Sequence, residues 1–187
     1  MLNTNFKLDR GAILISEPFL KDDNFQRAVI VIAEHSEEGT FGFIINKVLN
    51  VKVAELLPDL ISFNFPVHLG GPVAEDTMYY IHDFPPDSLD SIDIGDSIKY
   101  GGNFEKLQKF VEQGKHKKGV LNFYIGYSGW SAGQLQKEID EKTWFVLNHN
   151  LSELFALPKE DMWAQCVKWL GADWEEVANY PIDPNLN

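Results

Sequence analysis

The sequence predicts an α+β fold. Three observations carry this. Short β-branched or aromatic runs cluster in hairpin order at 11–16, 28–33 and 41–45. Amphipathic helical patterns fall between and after such runs, with no regular βαβ alternation. No internal repeat, low-complexity segment or linker-like stretch interrupts the chain. Its 187 residues therefore read as a single domain, 1–187.

The first strand, 11–16, is apolar and ends at Glu17-Pro18, because proline cannot donate to a ladder. The run 28–33 is continuous and β-branched, as expected of a strand covered on both faces. A turn at 36–39 uses Gly39, and 41–45 returns, so 28–46 reads as an antiparallel hairpin. A short helix at 53–57 stops before Pro58. Strands follow at 67–69 and 78–82, then a polar loop from Pro85 to Asp96 and a short strand at 97–100. Asn103 caps a helix with Phe104, Leu107, Phe110 and Val111 on one face. Residues 120–125 form a strand entering the loop Gly126-Tyr127-Ser128-Gly129-Trp130. Ser131 and Gln134 have capping-box spacing ahead of a helix in which Glu138 and Lys142 are an i,i+4 pair. A strand at 144–147, a helix capped by Asn150, and a helix at 162–170 closed by Gly171 complete the order. Residues 181–187 read as a loose tail.

Composition excludes several classes. The net charge of −12 repels nucleic-acid phosphates and anionic lipid, which argues against direct nucleic-acid binding. The most basic stretch, 103–118, sets five lysines against two glutamates and reads as a solvated helix face. The residues before Gly11 hold no apolar segment or cleavage site of a secretory signal. The longest purely apolar run, 28–33, is far short of the ~20 residues that span a bilayer. The single cysteine, Cys166, lies at helical core spacing with Met162 and Trp169, and reads as a buried inert thiol. A cytoplasmic protein with no membrane partner is expected.

The sequence contains no phosphate-binding glycine signature and no G-x-S-x-G elbow. Its five histidines show no metal-ligand spacing, so no metal or cofactor is expected. Two stretches, 60–74 and 119–136, carry no charged residue, and each holds a glycine-rich turn beside aromatics. They are the candidate walls of one uncharged cleft.

Four strings, in order, resemble the YqgE/AlgH family of bacterial proteins. They are Gly11-Ala12-Ile13-Leu14-Ile15-Ser16-Glu17-Pro18 with Phe25-Gln26-Arg27-Ala28-Val29; Glu34-His35 with Gly39, Gly42 and Asn46; Gly70-Gly71-Pro72-Val73 with Tyr80-Ile81-His82; and the run from Gly126 to Leu135 with Glu138 and Trp144. The likeness covers about 11–170. It implies a mostly antiparallel, bifurcated sheet forming a pseudo-barrel with flanking helices, in a cytosolic protein. It implies no particular reaction. The AlgH branch implies a link to transcriptional regulation. Where the family often has proline two residues after the asparagine matched by Asn46, this chain has Val48.

The function expected is a non-enzymatic binding or regulatory domain with an unknown protein or small-molecule partner. The candidate site joins Glu34, His35, Asn46, Gly70, Gly71, Pro72, His82, Tyr127, Gly129, Trp130 and Gln134, with Trp130 as a partly exposed anchor. The alternative is an enzyme or metabolite-binding protein using the same cleft, with Glu34, His35 and His82 as its polar groups.

Overall fold

A computed structural model describes residues 6–85 and 88–180. The tail expected at 181–187 lies outside the described residues. The elements run β1 (Ile13–Ser16), β2 (Val29–Ser36), β3 (Gly39–Ile44), β4 (Val48–Lys52), α1 (Val53–Leu56), β5 (Pro66–Leu69), β6 (Val73–His82), β7 (Ile92–Gly95), β8 (Ile98–Tyr100) and α2 (Phe104–Glu112). They continue with β9 (Leu121–Ser131), α3 (Gln134–Asp140), β10 (Trp144–Leu147), α4 (Leu151–Phe155), α5 (Met162–Trp169) and α6 (Glu175–Ala178). The fold is α+β, as expected.

The ten strands form one sheet that is not closed, with main order β10-β1-β2-β3-β9-β6-β8-β7 and with β4 and β5 as a branch. All pairings are antiparallel except β5 with β9. The branching happens along β9. Its first half pairs with β5 and β6, and its second half, Ser128–Ser131, pairs with β3. The change occurs at Gly126, with φ +67°, whose absent Cβ would stand 2.3 Å from the Gly71 carbonyl oxygen. Two backbones thus cross where side chains cannot fit.

Three cores are packed against the sheet. The first joins Val29, Val31, Phe43, Ile81 and Tyr124 to Leu154, Trp163 and Cys166 of α4 and α5. The second gathers Phe63, Val67, Leu107, Val111 and Phe123 under α2. The third joins Ile30, Ile32 and Ile44 to Trp130, Trp144 and Leu135 of α3. Alternate residues of β2 enter the first and third cores, so the strand is covered on both faces, as its unbroken apolar run requires. Cys166 is fully buried, and burial pushes its thiol up to about 12.

Two helix caps match expectation, whereas the cap expected at Ser131 does not form: Ser131 ends β9, and α3 has Gly133 as its N-cap without a side-chain cap. Asn103 Oδ1 accepts from the Lys106 amide at 3.0 Å, and Asn150 Oδ1 from the Glu153 amide at 3.0 Å. Several elements differ. The segment 126–131 is strand rather than loop, and β6 begins five residues before the strand expected at 78. Strands β4 and β7 lie in stretches without a clear strand pattern; β4 is held by His68 of β5, and β7 forms a local hairpin with the next strand, β8. Glu138 and Lys142 do not pair. Lys142 has left the helix with φ +62°, and the i,i+4 ion pair is Lys137–Glu141 at 3.8 Å.

Candidate functional site

The β2–β3 hairpin, the second half of β9 paired beside it, and β6 border an open groove of about 670 Å³. Glu34, Ser36, Glu38, Gly39, Thr40 and Phe41 form the hairpin wall, and Val73, Tyr79, Tyr127, Gly129 and Trp130 form the other. The size falls within the range of small-ligand pockets.

A bulge aims Glu34 into this groove. Ile32 pairs with Gly42, yet Glu34 pairs with Phe41, leaving Ala33 as the extra residue. Without it, Glu34 would share the face of Ile32 and point into the third core. With it, Glu34 shares the face of Phe41. Its Oε1 accepts a short hydrogen bond from the Tyr100 hydroxyl. Burial, and then that carboxylate, raise the Tyr100 pKa, so the phenol stays protonated and donates. Around them lies an aromatic cluster. Phe41 meets Tyr127 at 5.6 Å and Tyr100 at 5.8 Å, and Tyr79 meets Tyr127 edge-on at 6.0 Å. Desolvation raises the Tyr79 pKa, with smaller contributions from Tyr127 and Asp76.

Of the eleven sequence candidates, Glu34, Tyr127, Gly129 and Trp130 line the groove. The others are placed elsewhere. His35 points to the opposite face of the hairpin, where its Nδ1 meets Thr40 Oγ1 at 2.6 Å beside a smaller hollow of about 370 Å³. His82 is fully buried on the second-core side, with Nε2 at 2.7 Å from Ser91 Oγ, and Glu34, His35 and His82 do not converge. Asn46 is a clamp: its Oδ1 accepts from the Val29 amide and its Nδ2 donates to the Arg27 carbonyl, both at 2.9 Å. Gly70 and Gly71 are buried against the β9 backbone, and Gly70 O accepts from Ser128 Oγ at 3.1 Å. Pro72 is exposed and does not line the groove; its neighbour Val73 does. Gln134 secures the turn into α3 by accepting from the Ser131 amide at 3.0 Å.

Two expectations need correction. Trp130 is only 6% exposed, and its ring is committed to the third core. Glu138 Oε2 accepts from both the Trp130 and Trp144 indole nitrogens at 2.8 Å, which is why so large a side chain is held inward. The cleft is also not uncharged, because the hairpin contributes Glu34 and Glu38. The pairing of β3 with the distant β9 brings this charged hairpin to the cleft; of its groove-lining carboxylates the sequence singles out Glu34 but not Glu38. Alternation along β9, with Tyr127 and Gly129 on one face and Trp130 on the other, is the signal that the Trp130 ring belongs to the core even though the residue borders the groove.

Chemically, the groove offers carboxylates and aromatic faces. Among the described residues no group of three His, Cys, Asp or Glu could hold a metal ion. No helix among them is long and apolar enough to cross a membrane.

An open, branched, mostly antiparallel sheet with a groove beside its central strand defines an α+β class that the comparisons recover. The chain belongs to the DUF179 family, described as AlgH-like, whose model matches residues 13–175. It is 36% identical over 181 residues to a UPF0301 protein of Cytophaga hutchinsonii, covering 96% of this chain and 100% of that one. It is 37% identical over 186 residues to a UPF0301 protein of Bacteroides thetaiotaomicron, covering 99% and 94%. Among solved structures, the crystal structure of protein DIP2367 from Corynebacterium diphtheriae superposes with a TM-score of 0.75 at 21% identity, covering 94% of each chain. The solution structure of AlgH from Pseudomonas aeruginosa superposes with a TM-score of 0.72 at 24% identity, covering 94% and 98%. These two likenesses concern the fold.

Proposed function

We propose that this protein is a non-enzymatic binding domain of the cytosol, with regulatory use, whose ligand site is the groove bordered by the β2–β3 hairpin and strands β6 and β9. The observation that supports this most is the groove itself. It is open, rigidly framed by paired strands, and lined by tyrosines that give contact area at low entropic cost. Its carboxylates share the lining with aromatic side chains, a combination suited to recognition. A lone buried cysteine suits a reducing compartment.

The test is a thermal-shift screen of metabolites against the wild type and Gly129→Leu. Gly129 is exposed, and its added Cβ would stand 3.1 Å from the Tyr127 ring edge, which has to yield by a few tenths of an ångström, so leucine fills the groove without meeting backbone. A ligand at 100 times its Kd adds about 2.7 kcal/mol, or about 5–10 °C for a domain of this size. That shift is expected to vanish in Gly129→Leu. Hits that shift a folded Gly129→Leu protein equally well would refute the site.

A further inference from the structure

The charge and chemistry of the groove say what it should hold. Resting on the reading that the groove is the ligand site, we infer that its occupant is a small organic cation, an ammonium or guanidinium compound, seated on Glu34 and Glu38 against the faces of Tyr79 and Tyr127.

Two independent features point to this. The first is electrostatic. Among the described residues, every charged residue lining the groove is acidic, and no lysine or arginine lines it. Among the described residues neither Glu34 nor Glu38 takes part in an ion pair. Arg10, whose field reaches Tyr100, donates to the Asp93 carbonyl at 3.4 Å instead. Glu34 is set rigidly by the Tyr100 phenol, so its carboxylate does not have to be ordered when a cation arrives. The exposed start of β6 adds Glu75 and Asp76, and Asp76 is close enough to act on Tyr79. Concave walls of one sign concentrate the opposite charge.

The second feature is aromatic. Tyr127 packs edge to face with both Phe41 and Tyr79, and all three rings line the hollow. A cation over a ring face is held by the ring quadrupole, more strongly where water is partly excluded. An anion would meet repulsion from both carboxylates. A neutral apolar ligand would leave them without partners. A cavity of about 670 Å³ holds a compact metabolite whole, which favours a free molecule over a side chain on a large partner.

The experiment uses the full chain with spermidine and agmatine as probes, followed by amide NMR shifts and calorimetry. Triacetylated spermidine and propanediol serve as neutral controls, and the peptide acetyl-Gly-Arg-Gly-amide is the polymer-borne arm. The cations are expected to shift residues 34–41 and 127–130 and to bind more weakly as salt rises. Glu34→Gln with Glu38→Gln should weaken them at least about tenfold. Glutamine at 34 keeps an acceptor for Tyr100, which protects the fold. Glu175→Gln with Glu176→Gln on α6, an equal change in net charge away from the groove, should leave binding unchanged. Neutral controls that bind the groove as well as the amines would overturn the cationic assignment while leaving the groove a ligand site. Tight binding of the peptide without the free amines would overturn the small-molecule assignment. No perturbation of groove residues by any probe would defeat both this inference and the reading beneath it.

Discussion

Removal of the Glu138 carboxylate should unlock the wall of the groove that carries Trp130. In Glu138→Ala, two indole N–H groups lose their acceptor, on side chains only 6% and 2% exposed. Hydrogen bonds to a charged partner contribute about 1.5–3 kcal/mol each, so two independent bonds would total about 3–6 kcal/mol. The bonds share one oxygen, and Glu138 is half-buried, so water recovers part of the loss. A cost near 3 kcal/mol is expected, or about 6–12 °C in Tm. Glu138→Gln keeps an acceptor oxygen and should lose about half as much. Urea denaturation followed by circular dichroism measures both. The decisive comparison is a cycle with Trp130→Phe, which deletes one donor and keeps a ring. If Glu138 acts through the indoles, its deletion costs less in that background, with a coupling of at least about 1 kcal/mol. A Glu138→Ala loss below about 0.5 kcal/mol, or strict additivity in the cycle, would refute the reasoning.

Two further predictions concern pH. Burial lowers His68 and His82 from 6.5 to about 4, so both are neutral in the fold. Between those values the unfolded chain binds more protons, and stability falls as pH drops from 6.5 toward 4, by up to about 2.7 kcal/mol per pH unit for the pair. Urea midpoints at pH 6.5, 5.5 and 4.5 should show this, and His82→Gln should halve the slope; an unchanged slope would contradict it. Lys159 has a buried amine with no hydrogen-bond partner, and burial lowers it from 10.5 to about 8. Its protonation therefore opposes folding at pH 7 and ceases to do so as pH rises from 8 toward 10.5. Lys159→Met should stabilise by about 1–3 kcal/mol at pH 7 and by less at pH 9.5. A variant less stable than wild type at both values would overturn this.

What could be read from the sequence was what neighbours in the chain decide. The 28–46 hairpin, the caps at Asn103 and Asn150, and the double-sided burial of β2 follow from local pattern alone. That the two glycine-rich stretches come together, Gly70 against Gly126 and Gly71 against Tyr127, was also legible, because small residues in an uncharged stretch allow close backbone approach. The bulge at Ala33 was not. One unpaired residue leaves no trace in composition, yet it turns Glu34 from core to groove. The extension of β9 through Gly126 was hidden because glycine reads as a turn, whereas here it lets two strands cross. Trp130 was misjudged because its partner lies on α3, and only folding brings Glu138 beneath it.

The shared central strand has a consequence for biosynthesis. Strands β3 and β6 each need β9 as a neighbour, and β9 lies far downstream of both. While the chain emerges from the ribosome, two long rims of unclaimed amides and carbonyls must wait for residues 121–131. The nascent protein is thus most vulnerable to clumping late in synthesis, and a single arriving segment seals both rims together.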